Sequence, residues 1–281
     1  MPLDRDASVD VARGLAMVLV VFGHALDGAQ SAGFDSHSLR MALLVIYAVH
    51  IPLFFLISGA FAASVRNKPW IQFVSHLLTR LIWPYLLWSV ILLTLQYVLR
   101  DHTNGAVELY RPFTILWQAP AVMWFLYVLI VSLVLLRLLA ALPSACILIL
   151  GLVVFALPYV FPELSQKIRF EGQFLVGVGA GLDILHHAVR PKSLVICAIV
   201  MAVTIERAFS AAHMPITGYP ASDLVFAPAN FAGPLLILAV GRWLSQTDAV
   251  SFIGEIGRNT MAIFVTHIIV TAGMRIALLG L

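Results

Sequence analysis

The chain has 281 residues, of which 61% are hydrophobic and only 11% are charged, whereas a soluble domain carries roughly 25% charged residues. This composition cannot cover a soluble fold of this size with a polar surface, so lipid must be the solvent for most of the chain. The net charge of +3 does not indicate nucleic-acid binding, because no basic run is interleaved with aromatic residues. The sequence therefore predicts an all-α, polytopic integral membrane protein.

Nine apolar stretches are long enough, or nearly so, to cross ~30 Å of hydrocarbon as helices. In chain order they are Val9–Leu26, Leu39–Ala63, Leu77–Leu99, Val122–Leu142, Ala145–Phe161, Gln173–Leu185, Leu194–Ala212, Val225–Leu244 and Thr260–Leu281. With the N-terminus in the cytoplasm, the majority of the 17 Lys and Arg residues fall on the cytoplasmic side, as is typical of membrane proteins. We therefore predict about nine transmembrane helices in a single domain over residues 1–281, with a cytoplasmic N-terminus. Cys146 and Cys197 lie in apolar runs and are expected to be buried packing residues.

Three histidines fall inside the predicted spans, where ionisable residues are costly and are functional candidates by default. Arg13 and His24 are eleven residues apart, or about three helical turns, so they lie on one face of the first helix. His50 and His267 are expected at a similar depth in the second and ninth helices. A neutral imidazole can accept a proton from an alcohol, and burial disfavours its cation. The same residues could relay protons in a transporter, or simply form hydrogen bonds between helices.

Two further features accompany the histidines. Pro52 cannot donate a hydrogen bond to the carbonyl of Ala48, so the second helix is expected to be kinked or opened beside His50. Basic residues near the predicted cytoplasmic face are candidates for binding phosphate groups; they are Arg13, Arg66, Lys68 and Arg80.

Five motifs make the chain recognisable. They are Asp10-Val-Ala-Arg-Gly-Leu-Ala with Val-Phe-Gly-His24, His50-Ile-Pro-Leu-Phe-Phe-Leu-Ile-Ser-Gly59, Arg80-Leu-Ile-Trp-Pro-Tyr85, Trp124-Phe-Leu-Tyr127 and Ile253-Gly-Glu-Ile-Gly-Arg-Asn-Thr-Met-Ala-Ile-Phe-Val-Thr-His267. With these motifs the chain resembles the acyltransferase-3 family of membrane O-acyltransferases, and within it the fucose 4-O-acetylase-like branch. The matches occur in the family's order and cover nearly the whole chain.

The resemblance implies transfer of an acetyl or other short acyl group from acyl-CoA to a hydroxyl of a sugar or cell-envelope glycan, in the bacterial inner membrane. Acetyl-CoA would be a cosubstrate, with no permanently bound cofactor and no metal. The partners would be acyl-CoA, a carbohydrate or glycolipid acceptor and membrane lipids. The alternative is a proton-coupled transporter or a flippase-like protein for a lipid or glycan.

The resemblance also assigns roles to residues of this sequence. His24 would be catalytic, with His267 and His50 as further candidates. Arg13 would contribute to donor binding or to holding the site. Arg80, Arg66 and Lys68 are expected to join it in donor binding because of their charge and their predicted position on the cytoplasmic side. Substrate binding is assigned to Asp10, Ser58, Trp124, Tyr127 and Asn259.

Two departures from the family pattern accompany this likeness. Relatives usually have a tenth helix after the last histidine, whereas this chain ends about fourteen residues beyond His267, which predicts a short form or an incomplete coding sequence. Relatives also carry two or more arginines before the third helix, where this chain has His76 and Arg80. The second departure predicts weaker contact with CoA.

Overall fold

A computed structural model describes residues 6–98, 114–184, 190–211, 226–247 and 251–279, and all regular structure in these ranges is helical. This confirms the all-α prediction. The helices are α1 (Ala7–Ser31), α2 (His37–Ala62), α3 (Trp70–Leu77), α4 (Trp83–Val98), α5 (Trp124–Leu138), α6 (Ser144–Val160), α7 (Ile168–Ala180), α8 (Pro191–Ala211), α9 (Ala229–Leu244), α10 (Ser251–Arg258) and α11 (Thr260–Leu279). A π-helical turn, Leu78–Ile82, joins α3 to α4, and a 3₁₀ turn, Ala121–Met123, leads into α5.

Each of the nine predicted apolar stretches overlaps one helix, or the continuous α3–α4 helix, in the described residues. The sixth, Gln173–Leu185, is the least accurate, because α7 begins earlier, at Ile168, and ends at Ala180. Predicted ends at Leu99, Leu185, Ala212, Val225 and Leu281 lie outside those residues. One described helix, α10, was not predicted. Its eight residues include Glu255 and Arg258, so they give no signal of a membrane span.

Within the described ranges, four helices are long and apolar enough to cross a membrane, namely α1, α2, the continuous helix Trp70–Val98 and the helix Ala121–Leu138. Ser144–Val160, Ala229–Leu244 and Thr260–Met274 are apolar but shorter. Length and composition therefore support a helical membrane protein, while the number of crossings stays a prediction.

The chain divides into two compact units, and this division does not test the expectation of a single domain. The first unit comprises Met1–Phe61 and Pro143–Phe264, and the second comprises Ala62–Leu142 and Val265–Leu281. Helix α1 of the first unit begins at Ala7 because the Asp6 carboxylate accepts a hydrogen bond from the Ser8 backbone N–H at 2.9 Å.

The first unit is held together by helices that approach backbone to backbone. A Cβ added at Gly14 would lie 2.0 Å from the carbonyl oxygen of Ile253, and one at Gly257 would lie 1.7 Å from that of Asp10. Helices α1 and α10 therefore touch at both glycines, a mode of packing that suits membrane proteins because lipid supplies no hydrophobic drive between helices. Helices α2 and α7 also touch backbone to backbone, at Gly59 and Gly177.

Helix α8, in the first unit, has an exposed apolar face. On α8 the exposed side chains include Val195, Ile199 and Val203, while Cys197 and Met201 face inward and are buried. An apolar face turned outward is what a helix in lipid requires. Cys146 is also exposed, so the prediction that both cysteines are buried was right for Cys197 and wrong for Cys146. An apolar run in a membrane protein does not by itself distinguish a lipid-facing side chain from a core one.

Pro52 and Pro84 are accommodated differently. Helix α2 continues on both sides of Pro52. In the second unit, Pro84 has no N–H to donate to the carbonyl of Arg80, and the chain forms the π-helical turn immediately before it. There the Trp83 N–H bonds the Leu78 carbonyl. Such π turns are frequent at functional sites, and this one carries Arg80.

Candidate active site

Three aromatic rings form the centre of the candidate site in the first unit. His24, on α1, lies edge-on to Tyr47, on α2, with ring centroids 6.2 Å apart. Tyr47 in turn contacts His50, one turn along α2, with centroids 5.0 Å apart. The structure thus brings two of the three predicted histidines to either side of one tyrosine. Tyr47 was missed at the sequence level, although its position three residues before His50 was a signal that both face the same way.

His50 has a defined tautomer. Its side chain is 1% exposed, and its Nδ1 lies 2.6 Å from the carbonyl oxygen of Ile46. Because a carbonyl oxygen only accepts hydrogen bonds, Nδ1 must carry the proton. The Nε2 atom of a neutral His50 is therefore the one able to accept a proton.

Helices α1 and α2 come close at this cluster because a glycine precedes His24. A Cβ at Gly23 would lie 3.0 Å from a methyl of Ile46 and 3.7 Å from the ring of Tyr47. Asp27, one turn after His24, is near enough for its charge to act on the Tyr47 hydroxyl. Asp27 is a second residue that the sequence reasoning missed.

Arg13 lies toward the start of α1, on the predicted face with His24. Its guanidinium carbon is 5.2 Å from the centroid of the Phe61 ring, an arrangement that favours a cation over an aromatic face. Arg13 is half-buried. Ser58, also half-buried, lies on α2 one turn before Phe61.

Asp10 is buried, at 4% exposure, and lies against α10. Its backbone carbonyl is the group closest to Gly257. Arg258, at the end of α10, forms a hydrogen-bonded ion pair with Glu255. The hydrogen bond to Glu255 raises the pKa of the Arg258 guanidinium, and the charges of Glu255 and Asp10 add to this effect. Asn259 donates from Nδ2 to the Glu255 carbonyl at 2.9 Å, so its side chain caps the end of α10.

In the second unit, Arg137 anchors a segment that carries predicted donor-binding residues. Its guanidinium carbon lies 4.4 Å from the centroid of Trp70, and its Nη1 donates to the backbone carbonyl of Arg66. Arg137 therefore ties the loop containing Arg66 and Lys68 to the start of α3. Nothing in the sequence indicated this role for Arg137, because its two partners are distant along the chain.

Lys68 in this loop and Arg80 in the π-helical turn both lie near the His76 imidazole. Lys68 and Arg80 are both exposed, and the charges of both act on the His76 imidazole. A group of cations at one exposed surface can bind an anion such as a phosphate.

Trp124 and Tyr127 occupy the first turn of α5, also in the second unit. The Tyr127 ring lies 6.1 Å from that of Tyr85 on α4, and the Tyr85 hydroxyl donates to the carbonyl of Ile115. His267 is 3% exposed and lies on α11 of the same unit. Its convergence with His24 stays a prediction.

Among the described residues, no group of three or more His, Cys, Asp or Glu side chains could hold a metal ion. Two imidazoles that each lie beside one phenol ring provide groups that can accept a proton.

The family model of the acyltransferase domain known as acyltransferase-3 matches residues 6–281. The chain belongs to the acyltransferase-3 family. The matched range contains both units and every residue for which a role was predicted. No solved structure matches the chain.

Two curated relatives of this family member carry the name nodulation protein NolL. The protein from Mesorhizobium japonicum is 28% identical over 141 residues, which cover 48% of this chain and 36% of the relative. The protein from Sinorhizobium fredii is 28% identical over 174 residues, which cover 61% of this chain and 47% of the relative. The matches therefore span less than half the length of either relative.

Proposed function

We propose that this acyltransferase-3 family member is a membrane O-acyltransferase that moves an acetyl or other short acyl group from acyl-CoA to a hydroxyl of a sugar or cell-envelope glycan. The observation that carries the proposal is the contact of His24 and His50 with Tyr47, in a chain whose family model covers residues 6–281. The proposed location is the bacterial inner membrane, with a cytoplasmic N-terminus.

The proposed reaction needs one proton acceptor. His24 takes the proton of the acceptor hydroxyl as the alcohol oxygen attacks the thioester carbonyl carbon. The C–S bond then breaks, the acyl group stays on the acceptor oxygen and the CoA thiolate leaves. The proton on the imidazole passes to that sulfur, so the base is regenerated. Tyr47 and His50 supply a path along which the proton can redistribute, and His267 is a further candidate for this role.

Acyl-CoA carries phosphates, which require fixed cations. Arg13 is proposed to contact the donor, and Arg66, Lys68 and Arg80 are proposed as further donor-binding residues. A hydrogen bond to a charged group contributes roughly 1.5–3 kcal/mol. Arg13→Ala is therefore expected to raise the KM for acetyl-CoA by about tenfold or more. Arg13→Lys should restore only part of this, because an ammonium cannot form a bidentate contact.

The acceptor is proposed to be a carbohydrate, in keeping with the likeness to the fucose 4-O-acetylase-like branch. Both curated relatives are named nodulation proteins, and a nodulation signal that bears a sugar hydroxyl fits the same proposal. Asp10, Ser58, Trp124, Tyr127 and Asn259 are proposed as substrate-binding residues on the strength of the family motifs.

The test is acetyl transfer by the purified protein in lipid nanodiscs. Acetyl-CoA is supplied with methyl α-L-fucoside or another methyl glycoside, free CoA thiol is measured and the glycoside is analysed by mass spectrometry. Removing a positioned base typically lowers the rate ~10²–10⁴-fold. His24→Ala and His24→Gln should both lose transfer, because neither side chain can accept a proton to become a cation.

The matched control is His37→Gln, at the start of α2, where the ring packs on Phe209 with centroids 4.6 Å apart. This control should keep wild-type turnover. Near-wild-type turnover in His24→Gln would show that His24 is structural and that the general base is His50 or His267. If wild type releases no CoA while glycoside or lipid crosses a bilayer under a proton gradient, the transporter alternative is correct instead.

A further inference from the structure

The first unit buries a second set of polar side chains, and the reaction proposed above does not use them. Arg169 is 6% exposed and Gln173 is completely buried. They lie four residues apart on α7, so they share one face of that helix. A charged side chain inside a membrane protein is costly and marks a functional site by default.

The burial of the Gln173 side-chain nitrogen, Nε2, has a structural explanation. Pro234, inside α9, has no N–H for the carbonyl of Asn230, four residues earlier. Gln173 Nε2 donates to that carbonyl at 3.0 Å, so α7 satisfies the group that the proline leaves exposed, as membrane proteins require. The burial of the side-chain oxygen, Oε1, has no such explanation, because Gln173 Oε1 has no hydrogen-bond partner within the described part of the chain.

Two more polar groups lie toward the same end of α7. Gln166 Oε1 is buried and without a hydrogen-bond partner in the described ranges, while Gln166 Nε2 faces the Pro158 carbonyl at 3.5 Å. Tyr159, which follows Pro158 on α6, has a buried hydroxyl whose hydrogen-bonding geometry within the described residues is poor. The guanidinium of Arg169 lies close enough to that hydroxyl for its charge and its N–H donors to interact with it.

Aromatic faces border these polar groups. Phe155, one turn before Tyr159 on α6, lies 5.5 Å from the Tyr159 ring and 4.8 Å from the Phe231 ring on α9. Phe170, beside Arg169, stacks on Phe55 of α2 at 5.3 Å. Phe55 is five residues after His50, or ~7.5 Å along the helix axis. Helix α2 thus connects these polar groups to the proposed reaction centre.

These side chains complement a molecule that has both hydroxyl groups and C–H faces. The amide oxygens of Gln166 and Gln173, which lack donors among the described residues, can accept hydrogen bonds from hydroxyl groups, and the aromatic rings can pack on the C–H faces. A sugar ring has this combination. Buried polar atoms without partners are uncommon in proteins and require an explanation such as bound water or a ligand.

We propose that Tyr159, Gln166, Arg169 and Gln173 form a binding subsite for hydroxyl groups of the carbohydrate acceptor. The proposal rests on the acyl-transfer function given above. It adds a place where the carbohydrate acceptor binds, whereas the histidine cluster acts on the reacting hydroxyl. Sugar hydroxyls donate to Gln166 Oε1 and Gln173 Oε1, and the Arg169 guanidinium donates to a sugar oxygen.

The test uses Tyr159→Phe, Gln166→Met and Arg169→Lys in lipid nanodiscs, with Tyr97→Phe as the matched control on an exposed tyrosine. Binding of methyl glycosides, methyl α-L-fucoside among them, is measured by saturation-transfer NMR without acetyl-CoA. Loss of a neutral hydrogen bond should weaken binding about 3- to 10-fold, and loss of the guanidinium geometry should weaken it more. Tyr159→Phe removes one hydroxyl without leaving a cavity, so it keeps the proposal falsifiable if Arg169→Lys fails to fold.

The kinetic measurement separates this proposal from the one on which it rests. The three variants should raise the KM for the acceptor and leave the KM for acetyl-CoA unchanged, while His24→Gln should abolish transfer without changing glycoside binding. If transfer occurs but acceptor KM is the same in every variant, the groups hold only ordered water and the subsite is refuted. If glycoside binding depends on Tyr159 but no CoA is released, the subsite stands and acyl transfer is refuted.

Discussion

Replacing Gly257 by alanine should disrupt the contact between α1 and α10. The new Cβ would lie 1.7 Å from the carbonyl oxygen of Asp10 and 2.6 Å from its carbonyl carbon, whereas ordinary contact begins at 3.4 Å. Both atoms belong to the backbone, so no side-chain rotation relieves an overlap of about 1.7 Å, and the helices must separate. Overpacking of this kind costs roughly 1–3 kcal/mol.

The matched control is Gly254→Ala, one turn earlier on the same helix. Its Cβ would meet only Arg258 Nη1 at 3.7 Å and a Val11 methyl at 3.9 Å. Removing a glycine from a helix contributes up to about 1 kcal/mol of stability, so this variant should be neutral or slightly stabilised.

Thermal unfolding of the detergent-solubilised variants, at one fixed scan rate, measures the difference. At about 2–4 °C per kcal/mol, a cost of roughly 1–3 kcal/mol means that Gly257→Ala should lower the apparent Tm by roughly 2–12 °C, and Gly254→Ala should not lower it. Equal Tm values for the two variants would refute the close approach of α1 to α10. Because α1 carries Arg13 and His24, we also expect Gly257→Ala to lose acetyl transfer before it loses expression.

Two further predictions concern the second unit and the topology. Arg137→Ala should lower the apparent Tm, because a cation over an aromatic ring contributes ~0.5–2 kcal/mol. It should also raise the KM for acetyl-CoA several-fold, because the loop of Arg66 and Lys68 loses its anchor. Arg137→Lys should recover part of both effects, and an unchanged KM would leave Arg137 with a purely structural role. A reporter fused after Leu281 should read as external to the cytoplasm if nine helices cross the membrane; a cytoplasmic signal would mean an even number of crossings, with the short α7 as the first candidate for a miscount.

Local sequence patterns predicted the helices and the placement of Arg13 relative to His24. Hydropathy selects lipid as the solvent, and the 3.6-residue period then fixes which residues of one helix share a face. The same period places Tyr47 beside His50, although only the contact with His24 showed why that matters. The length of α7 was less predictable, because Arg169 and Glu171 interrupt the apolar run that the helix nevertheless continues through.

The sequence by itself thus determined a helical membrane protein and a histidine–arginine face on its first helix. Only the tertiary structure decided which helices meet. It pairs Gln173 with the carbonyl of Asn230, 57 residues away, and Arg137 with the carbonyl of Arg66, 71 residues away. An apolar helix surface in lipid has no strong preference for one partner over another, since lipid and protein are similarly apolar. Specific pairing comes instead from glycines that admit a neighbouring backbone and from carbonyls that prolines leave without a donor. Those features are local in sequence, but the groups that complete them are not.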